Sequence, residues 1–581
     1  MPATPACGRA PRAVPMRFVA LAATCLLASA CAVGPDFRTP AAPTASGYTE
    51  QPLPAQTAAA QTTGGEAQRF VSGMKVSEQW WQAFQSEKLN KVIADAFAAS
   101  PTLAAAQAAL RQAHQQMRAQ EGAYFPLLQG TYQPSRQRNA VGTISPTLAS
   151  GDAIYSLHTA QLTVTYTLDV FGVNRRQVES LRAARDAQYF QLQAAYLTLA
   201  SNIVVAAVQE AALRAQIEAQ QRVVEINTQL LDNLRQQFKF GAVTGLDVAA
   251  AQTQLAQAEQ ALPTLQKQLA LQRDLLAALA GRLPSEGVGE TFTLADFTLP
   301  QDLPVSLPSE LVRQRPDVRA AEAQLHAATA QVGVAIGNML PQLTLTGTKG
   351  GTATVFSQMF RDGNIFWSLV GGVAQTFFDG GTLLAKKRAA DAGVDQAEAQ
   401  YRGTVITAFQ NVADTLHALD ADANVLKAAL KSEQAARTTL DITTRQMGLG
   451  YVNVLAVLNA EQSYQTATQA TITARASRFA DTAALFQAVG GGWWNRPEGR
   501  WRWSLRRRIS RGLMSAAGAR TSASADRMNT WWPTGRRVLH VRFVMGPIAS
   551  FRAMADHSVL PTLRAFILDG IQRAQWGITF R

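Results

Sequence analysis

The chain has 581 residues, only 16 % of them charged, and a formal charge of +13. Residues 495–581 hold 16 Arg, no Lys and four acidic side chains, while the preceding 494 hold 38 basic and 37 acidic ones. The body is therefore nearly neutral, and a nucleic-acid role for it is excluded. All three cysteines lie in the first 31 residues and the six histidines are scattered, so the body has no disulfide framework and no zinc-ligand spacing. No nucleophile–base pairing or phosphate loop stands at informative spacing, so neither an enzyme nor a cofactor or metal is expected. Abundant Ala and Gln favour long helices over a mixed α/β enzyme.

In chain order, "MRFVALAATCLLASAC" has a basic start at Arg17, an apolar run and then small residues. This reads as a secretory signal over 1–30, with Met16 offering a second start. "LLASAC" before "AVGPDFRTP" is a lipoprotein-type site that makes Cys31 the acylated terminus. Ala28-Ser29-Ala30 also fits ordinary cleavage, so both endings stay open. No other run is read as long and apolar enough for a transmembrane helix, so any crossing must use strands closed into a barrel. A Pro/Ala/Thr/Gln-rich stretch over 31–75 reads as an extended tether. Helical pattern begins beyond it, with Trp80, Trp81 and Phe84 as an apolar anchor and Ser100-Pro101 as a break and restart.

"AQLTVTYTL" (160–168) alternates without error: Leu162, Val164, Tyr166 and Leu168 on one side, Gln and Thr on the other. That is the pattern of a lipid-facing, water-lined strand, and equally of a soluble hairpin with one buried face. "FPLLQGTYQPSR" (125–136) is its partner across a Gly/Ser/Thr-rich loop. From Arg175 to Phe240 there is neither Gly nor Pro, a helix path of about 100 Å. It stops at Gly241, and a returning helix over 246–280 is interrupted at Pro263.

The plan then repeats. "RPDVRAAEAQL" (315–325) echoes "SPTLAAAQAAL" (100–110), and "LPQLTLTGT" (340–348) echoes "FPLLQGTYQ" (125–133), both 215 residues on. "FWSLVGGVAQTFFDGG" supplies a Gly-rich strand with Phe366 and Trp367 as interfacial aromatics. Long helical stretches follow over 382–447 and 454–489. The turn "FGAVTGLDVAAAQ" (240–252) is matched 209 residues later by "LGYVNVLAVLNAE" (449–461), with Gly, Val, Leu, Val and Ala in register. Two repeats are expected, over 76–300 and 301–493. Residues 494–581 form an Arg/Trp-rich extension, either a membrane- or RNA-facing surface or a segment without evolved function.

Two repeats yield four membrane strands. Four strands cannot close, since about eight make the smallest barrels, so several copies must share one. Two, three or four copies remain open on this ground alone.

"LPSELVRQRPDVRAAEAQLHAATAQVGVA" (307–335), "CAVGPDFRTP", "YTLDVFG", the duplicated turn and "LFQAVGGGW" resemble the outer-membrane factors of bacterial efflux systems. These are TolC-like proteins, and the likeness is to their NodT-type lipoprotein branch, over about 76–493. The resemblance implies a mainly α fold with transmembrane β: long α-helical hairpins forming a periplasmic α-barrel, and two β-hairpins per chain in a shared 12-stranded trimeric β-barrel, by internal duplication. It implies an outer-membrane, lipid-anchored homotrimer that docks a periplasmic adaptor and a resistance-nodulation-division pump. It makes Gly241, Ala242, Val243, Gly450, Tyr451 and Val452 the adaptor-docking tips. It places Leu246, Asp247, Leu455, Asn459 and Gln462 at the aperture, Leu455 as an apolar ring and Asp247 as an interhelical latch. Several relatives carry Asp where Asn459 stands and some carry Arg where Gln462 stands, so weaker cation preference and weaker pH-dependent gating are expected here. The alternatives are the exit duct of a type I protein-secretion system, or a lipid-anchored coiled-coil scaffold without a pore.

Overall fold

The computed structural model describes residues 32–45, 47–52, 54–138 and 154–495. The signal, Cys31, the loop between the first two long strands and the Arg/Trp-rich extension lie outside the described residues.

The duplication expected from the sequence is metrical. Helix α1 (Glu87–Ala99) and helix α2 (Pro101–Glu121) lead into strands β2 (Leu127–Arg138) and β3 (Ile154–Leu168), then α3 (Val173–Lys239) and α4 (Gly245–Leu279). In the second half α5 (Pro308–Gln314) and α6 (Pro316–Gly337) lead into β5 (Gln342–Ala353) and β6 (Ile365–Ala374), then α7 (Thr382–Gly448) and α8 (Val454–Ala488). Helices α3 and α7 each have 67 residues, and α4 and α8 each have 35. At about 1.5 Å per residue the longer pair run about 100 Å.

Both long helices start from the same device. The Asp169 carboxylate accepts from the N–H groups of Asn174 and Arg175, each at 2.9 Å. Asp379 does the same for Gly381 at 2.9 Å and Leu383 at 2.7 Å. An anionic side chain on the first free N–H groups suits the positive end of the helix. Pro263 does not interrupt α4, which is continuous through it. The one donor lost there is outweighed by packing along α3.

Strands β2, β3, β5 and β6 form one antiparallel sheet in the order β2-β3-β5-β6. Register places Leu128, Val164, Gly347 and Leu369 in one cross-strand row, and Leu168, Leu343 and Val373 in another. Directly opposed residues share a face. One face therefore carries Leu128, Leu162, Val164, Tyr166, Leu168, Leu343, Leu345, Trp367, Leu369 and Val373. The other carries Thr163, Thr165, Thr167, Thr344, Thr346 and Thr348. Leu128, Leu162, Val164, Trp367, Leu369 and Val373 are exposed in the single chain. The strands are longer than the alternation suggested: β3 starts at Ile154, where the pattern weakens but the pairing with β2 persists.

The main core lies where the repeats meet. Trp80 stacks on Phe486 at 5.3 Å, and Phe84, Phe292, Phe297 and Phe479 fill the space between α1, α8 and the linker joining the repeats. Helix α3 does contain a stretch apolar enough to cross a membrane by length and composition, which corrects the sequence reading, but 56 % of that stretch is buried among the other helices. Its Leu199–Leu213 segment faces neighbouring helices, so the apolarity answers packing.

The extended stretch over 31–75 is tied to the body where it is described. A short parallel pair, β1 (Arg69–Ser72) with β4 (Asp302–Val305), ties it to the inter-repeat linker. Arg478, fully buried on α8, donates to the Gly64 carbonyl at 3.0 Å and the Glu66 carbonyl at 2.9 Å. Gln68, also fully buried, donates to the Pro300 carbonyl and to Thr482 Oγ1, both at 3.0 Å. A Pro/Ala/Thr composition cannot form a helix-like repeat of its own, but its backbone carbonyls still serve as acceptors for buried donors elsewhere.

Candidate functional site

The two helix–helix turns stand at the ends of the longest elements, and their geometry is duplicated. After α3, Gly241 takes φ +73°, its N–H donates to the Phe238 carbonyl at 3.0 Å, and that of Ala242 to the Gln237 carbonyl at 3.0 Å. After α7, Gly450 takes φ +79°, its N–H donates to Met447 and that of Tyr451 to Gln446, again at 3.0 Å. A left-handed residue at this point ends each helix and reverses the chain within a few residues. The next helices are capped by Thr244 and Asn453, whose side chains accept from Asp247 N and Ala456 N.

Under the turns lies a small second core of Leu231, Leu234, Ala251, Val454 and Leu458, with Val243, Val248 and Met447 against it. Val243 and Val452 are half-buried; Gly241, Ala242, Gly450 and Tyr451 are exposed. Phe240 is 88 % exposed, Leu449 72 %, Leu246 79 % and Leu455 54 %. Apolar side chains left in water at a helix tip, over an otherwise packed turn, mark a surface that meets something else.

The structure brings together most of the residues assigned to the aperture. Leu455, Asn459 and Gln462 lie on successive turns of α8, Asn459 and Gln462 exposed. Asp247 does not reach across to another helix in this chain. Its Oδ2 accepts from Thr244 N at 2.9 Å and from Thr244 Oγ1 at 2.7 Å, closing a capping box. Those bonds hold its carboxyl below the usual range, the hydroxyl of Thr244 being the larger cause. The interhelical bond at this level is made by Gln462, whose Oε1 accepts from Gln254 Nε2 at 3.0 Å, joining α8 to α4.

Two further features escaped the sequence reading. Gln220, fully buried on α3, donates to the Ala258 carbonyl of α4 at 2.9 Å and accepts from Gln465 of α8 at 2.6 Å. It links three helices above the tips, and the recurring Gln on the facing sides of α4 and α8 is its sequence signal. Glu461, 3 % exposed, borders a cavity of about 420 Å³ with Ile226, Leu230, Leu440, Met447 and Arg445. Its Oε1 has no hydrogen-bond partner among the described residues, and burial pushes its carboxyl up to about 7. A lone Glu followed by the polar run Gln462-Ser463-Tyr464-Gln465 gave no sign of burial.

No group of three or more potential metal-ligating side chains occurs among the described residues. The arrangement offers exposed apolar side chains, neutral amides and hydrogen-bonded helix contacts.

The family model described as outer membrane efflux protein matches residues 92–282 and 307–491. The chain is 29 % identical over 418 residues to the pyoverdine export outer membrane protein OpmQ of Pseudomonas putida, covering 72 % of this chain and 88 % of that protein. It is 29 % identical over 479 residues to outer membrane protein OprJ of Pseudomonas aeruginosa, covering 81 % and 94 %. Nodulation protein T of Rhizobium leguminosarum bv. viciae is 27 % identical over 477 residues, covering 80 % and 92 %. Among solved structures, the outer-membrane channel OprN superposes with a TM-score of 0.70 at 26 % identity, covering 80 % of this chain and all of that one. The outer membrane protein VceC of Vibrio cholerae gives 0.67 at 27 % identity, covering 72 % and all of it.

Proposed function

The chain belongs to the outer membrane efflux protein family, and on that premise we propose that three copies form the outer-membrane channel of a tripartite efflux system. The observation that carries the reading is the four-stranded sheet. Its edge strands β2 and β6 are each paired on one side only in the single chain and run antiparallel to each other. Unpaired edges in lipid leave a row of unsatisfied backbone groups. Pairing β6 of one copy with β2 of the next satisfies both edges, keeps every pair antiparallel and closes at 12 strands. The Leu/Val/Trp face then meets lipid and the Thr face lines the lumen.

The 67-residue helices carry the lumen across the periplasm, and the duplicated tips dock a periplasmic adaptor that bridges to an inner-membrane pump. Leu246, Leu455 and Asn459, repeated by symmetry, narrow the periplasmic end. The duct is passive and its free energy comes from the pump. Cys31 carries the lipid anchor. The protein resides in the outer membrane, as its relatives do.

The test is extraction in mild detergent followed by planar-bilayer recording. A heat-modifiable trimer, mainly helical with a smaller β signal, that conducts ions is expected. A lone subunit that passes no current sinks the reading.

A further inference from the structure

The first described residues of the chain do not trail from the body but occupy a pocket built for them. Arg176, on the first turn of α3, has a side chain 5 % exposed. Its Nε donates to the Val33 carbonyl at 3.1 Å. Its Nη2 donates to the Ala32 and Gly34 carbonyls at 3.3 Å each and to Asp36 Oδ1 at 2.7 Å. Its Nη1 donates to Glu179 Oε2 at 2.9 Å. One guanidinium thus takes three consecutive carbonyls and a carboxylate from a single five-residue stretch, which its planar fork of five donors suits. Val33 N donates to the Phe171 carbonyl at 3.1 Å. Phe37 stacks on the His326 ring at 4.4 Å and 12°, and His326 Nε2 lies 2.9 Å from Glu179 Oε1.

Missing side chains make the room. A Cβ on Gly172 would stand 2.7 Å from Ala32 Cα, and one on Gly333 would stand 2.8 Å from Arg176 Cγ and 2.9 Å from the Val33 carbonyl oxygen. Gly34 itself takes φ +97°, and a Cβ there would stand 2.4 Å from Gly333 Cα. Backbone approaches this close on both sides require glycine. The walls come from both repeats: Arg176 and Glu179 from α3, His326 and Gly333 from α6.

Position gives the pocket its use. Phe171 follows the last residue of β3, Leu168, by three residues, about 11 Å of chain at most. Ala32 is therefore held at the junction where the membrane strand becomes the periplasmic helix. The next hydrogen bond from the segment to the body among the described residues is that of Tyr48, whose hydroxyl donates to the Ser306 carbonyl at 2.8 Å. Released back to Tyr48, the first residues could roam over roughly 55 Å of extended chain.

We propose that this pocket is a seat for the residues following Cys31, with Arg176 as its positioning residue, and that it fixes the N-terminus at the periplasmic rim of the barrel, across the contact between the two repeats. The lipid that would enter the leaflet there rests on the reading of Cys31 as the acylated terminus; the seat itself does not. An acyl group on a terminus held so close to β3 can insert only beside the barrel wall, which makes the anchor a brace on the strand–helix junction and not a leash.

The test uses the purified full-length protein in detergent, cleaved with trypsin after Arg38, which is exposed. Gly34→Ala perturbs the seat from within the segment and changes no helix residue; Arg176→Gln perturbs it from the wall. Both are expected to speed cleavage at Arg38 about tenfold or more, the effect of about 1.4 kcal/mol lost from local closure. The melting temperature of Gly34→Ala stays at the wild-type value. Wild-type cleavage rates in both variants overturn the proposal. Intact mass separates the two readings: faster cleavage in variants of a protein lacking acyl groups supports the seat and removes the lipid, whereas an acylated protein cleaved at unchanged rates removes the seat and leaves the lipid.

Discussion

Glu461 gives the sharpest quantitative expectation. Its carboxyl is buried on α8 beside an apolar cavity, and burial alone lifts it from 4.5 to about 7. The folded chain therefore binds this proton more tightly than the unfolded chain does. Below pH 4.5 both states hold the proton and the group is neutral in its effect. Between 4.5 and 7 the unfolded state ionises freely while the folded state resists, and stability falls. Above 7 the full difference is present. At about 1.4 kcal/mol per tenfold change in proton affinity, that difference is about 3 kcal/mol per chain. Glu461→Gln keeps the shape and removes the ionisation. Thermal unfolding followed by circular dichroism should find the variant matching wild type at pH 4.5 and melting several degrees higher at pH 8, on the order of 2 °C per kcal/mol or less for a chain this long. Arg445 borders the same cavity and is the cation among the described residues that line it. If Glu461→Gln followed the same pH profile as wild type, the carboxylate would have to be ionised and paired in the assembled protein, and the argument from burial would fail.

Replacing Arg478 by Met should cost on the order of 3 kcal/mol, because the Gly64 and Glu66 carbonyls lose a buried charged donor. Unfolding melts would read the loss, and faster proteolysis within 56–68 would locate it. Thr244→Ala opens the capping box that holds the Asp247 carboxyl down, and should destabilise α4 by about 1 kcal/mol. Because a depressed carboxyl contributes stability above its unfolded value of 3.8 and loses it on acidification, the gap between variant and wild type should be widest at pH 7 and narrow on acidification below 3.8, leaving the part due to the lost Thr244 Oγ1 cap on Asp247 N, which does not titrate; hydrogen exchange at the first turn of α4 reports this. Asn459→Asp would set a carboxylate on each copy at the aperture, raising cation selectivity and block by divalent ions in single-channel recordings, while Asn459→Ala leaves both unchanged. A steep divalent block of the wild-type channel that disappears in Asn459→Ala would contradict the neutral-amide aperture.

How much of this was legible beforehand depended on whether the signal was local. The absence of Gly and Pro between Arg175 and Phe240 determined a helix, because nothing in that stretch ends one, and Gly241 determined its end as Gly450 determined that of α7. The alternation from Gln161 to Leu168 determined a strand and its two faces, since the period of two admits no other reading over that length. The echo at 209 residues determined the duplication, borne out by matched 67- and 35-residue helices. Pro263 misled, because a single lost donor is a local penalty and the packing of α4 on α3 is not local.

Which polar residues carry the interior could only be decided in three dimensions. Gln220, Arg478, Glu461 and Arg176 look like surface residues in the sequence, on helices where polar residues abound. Each is buried because something far along the chain comes to it: Gln465 to Gln220, Gly64 to Arg478, Val33 to Arg176, and for Glu461 the walls of α3 and α7, with no hydrogen-bond partner for its Oε1 among the described residues. Periodicity fixes what one element is, since it depends on neighbours within a few residues. Burial of a polar group depends on the free energy of contacts separated by hundreds of residues, and no pattern along the chain records it.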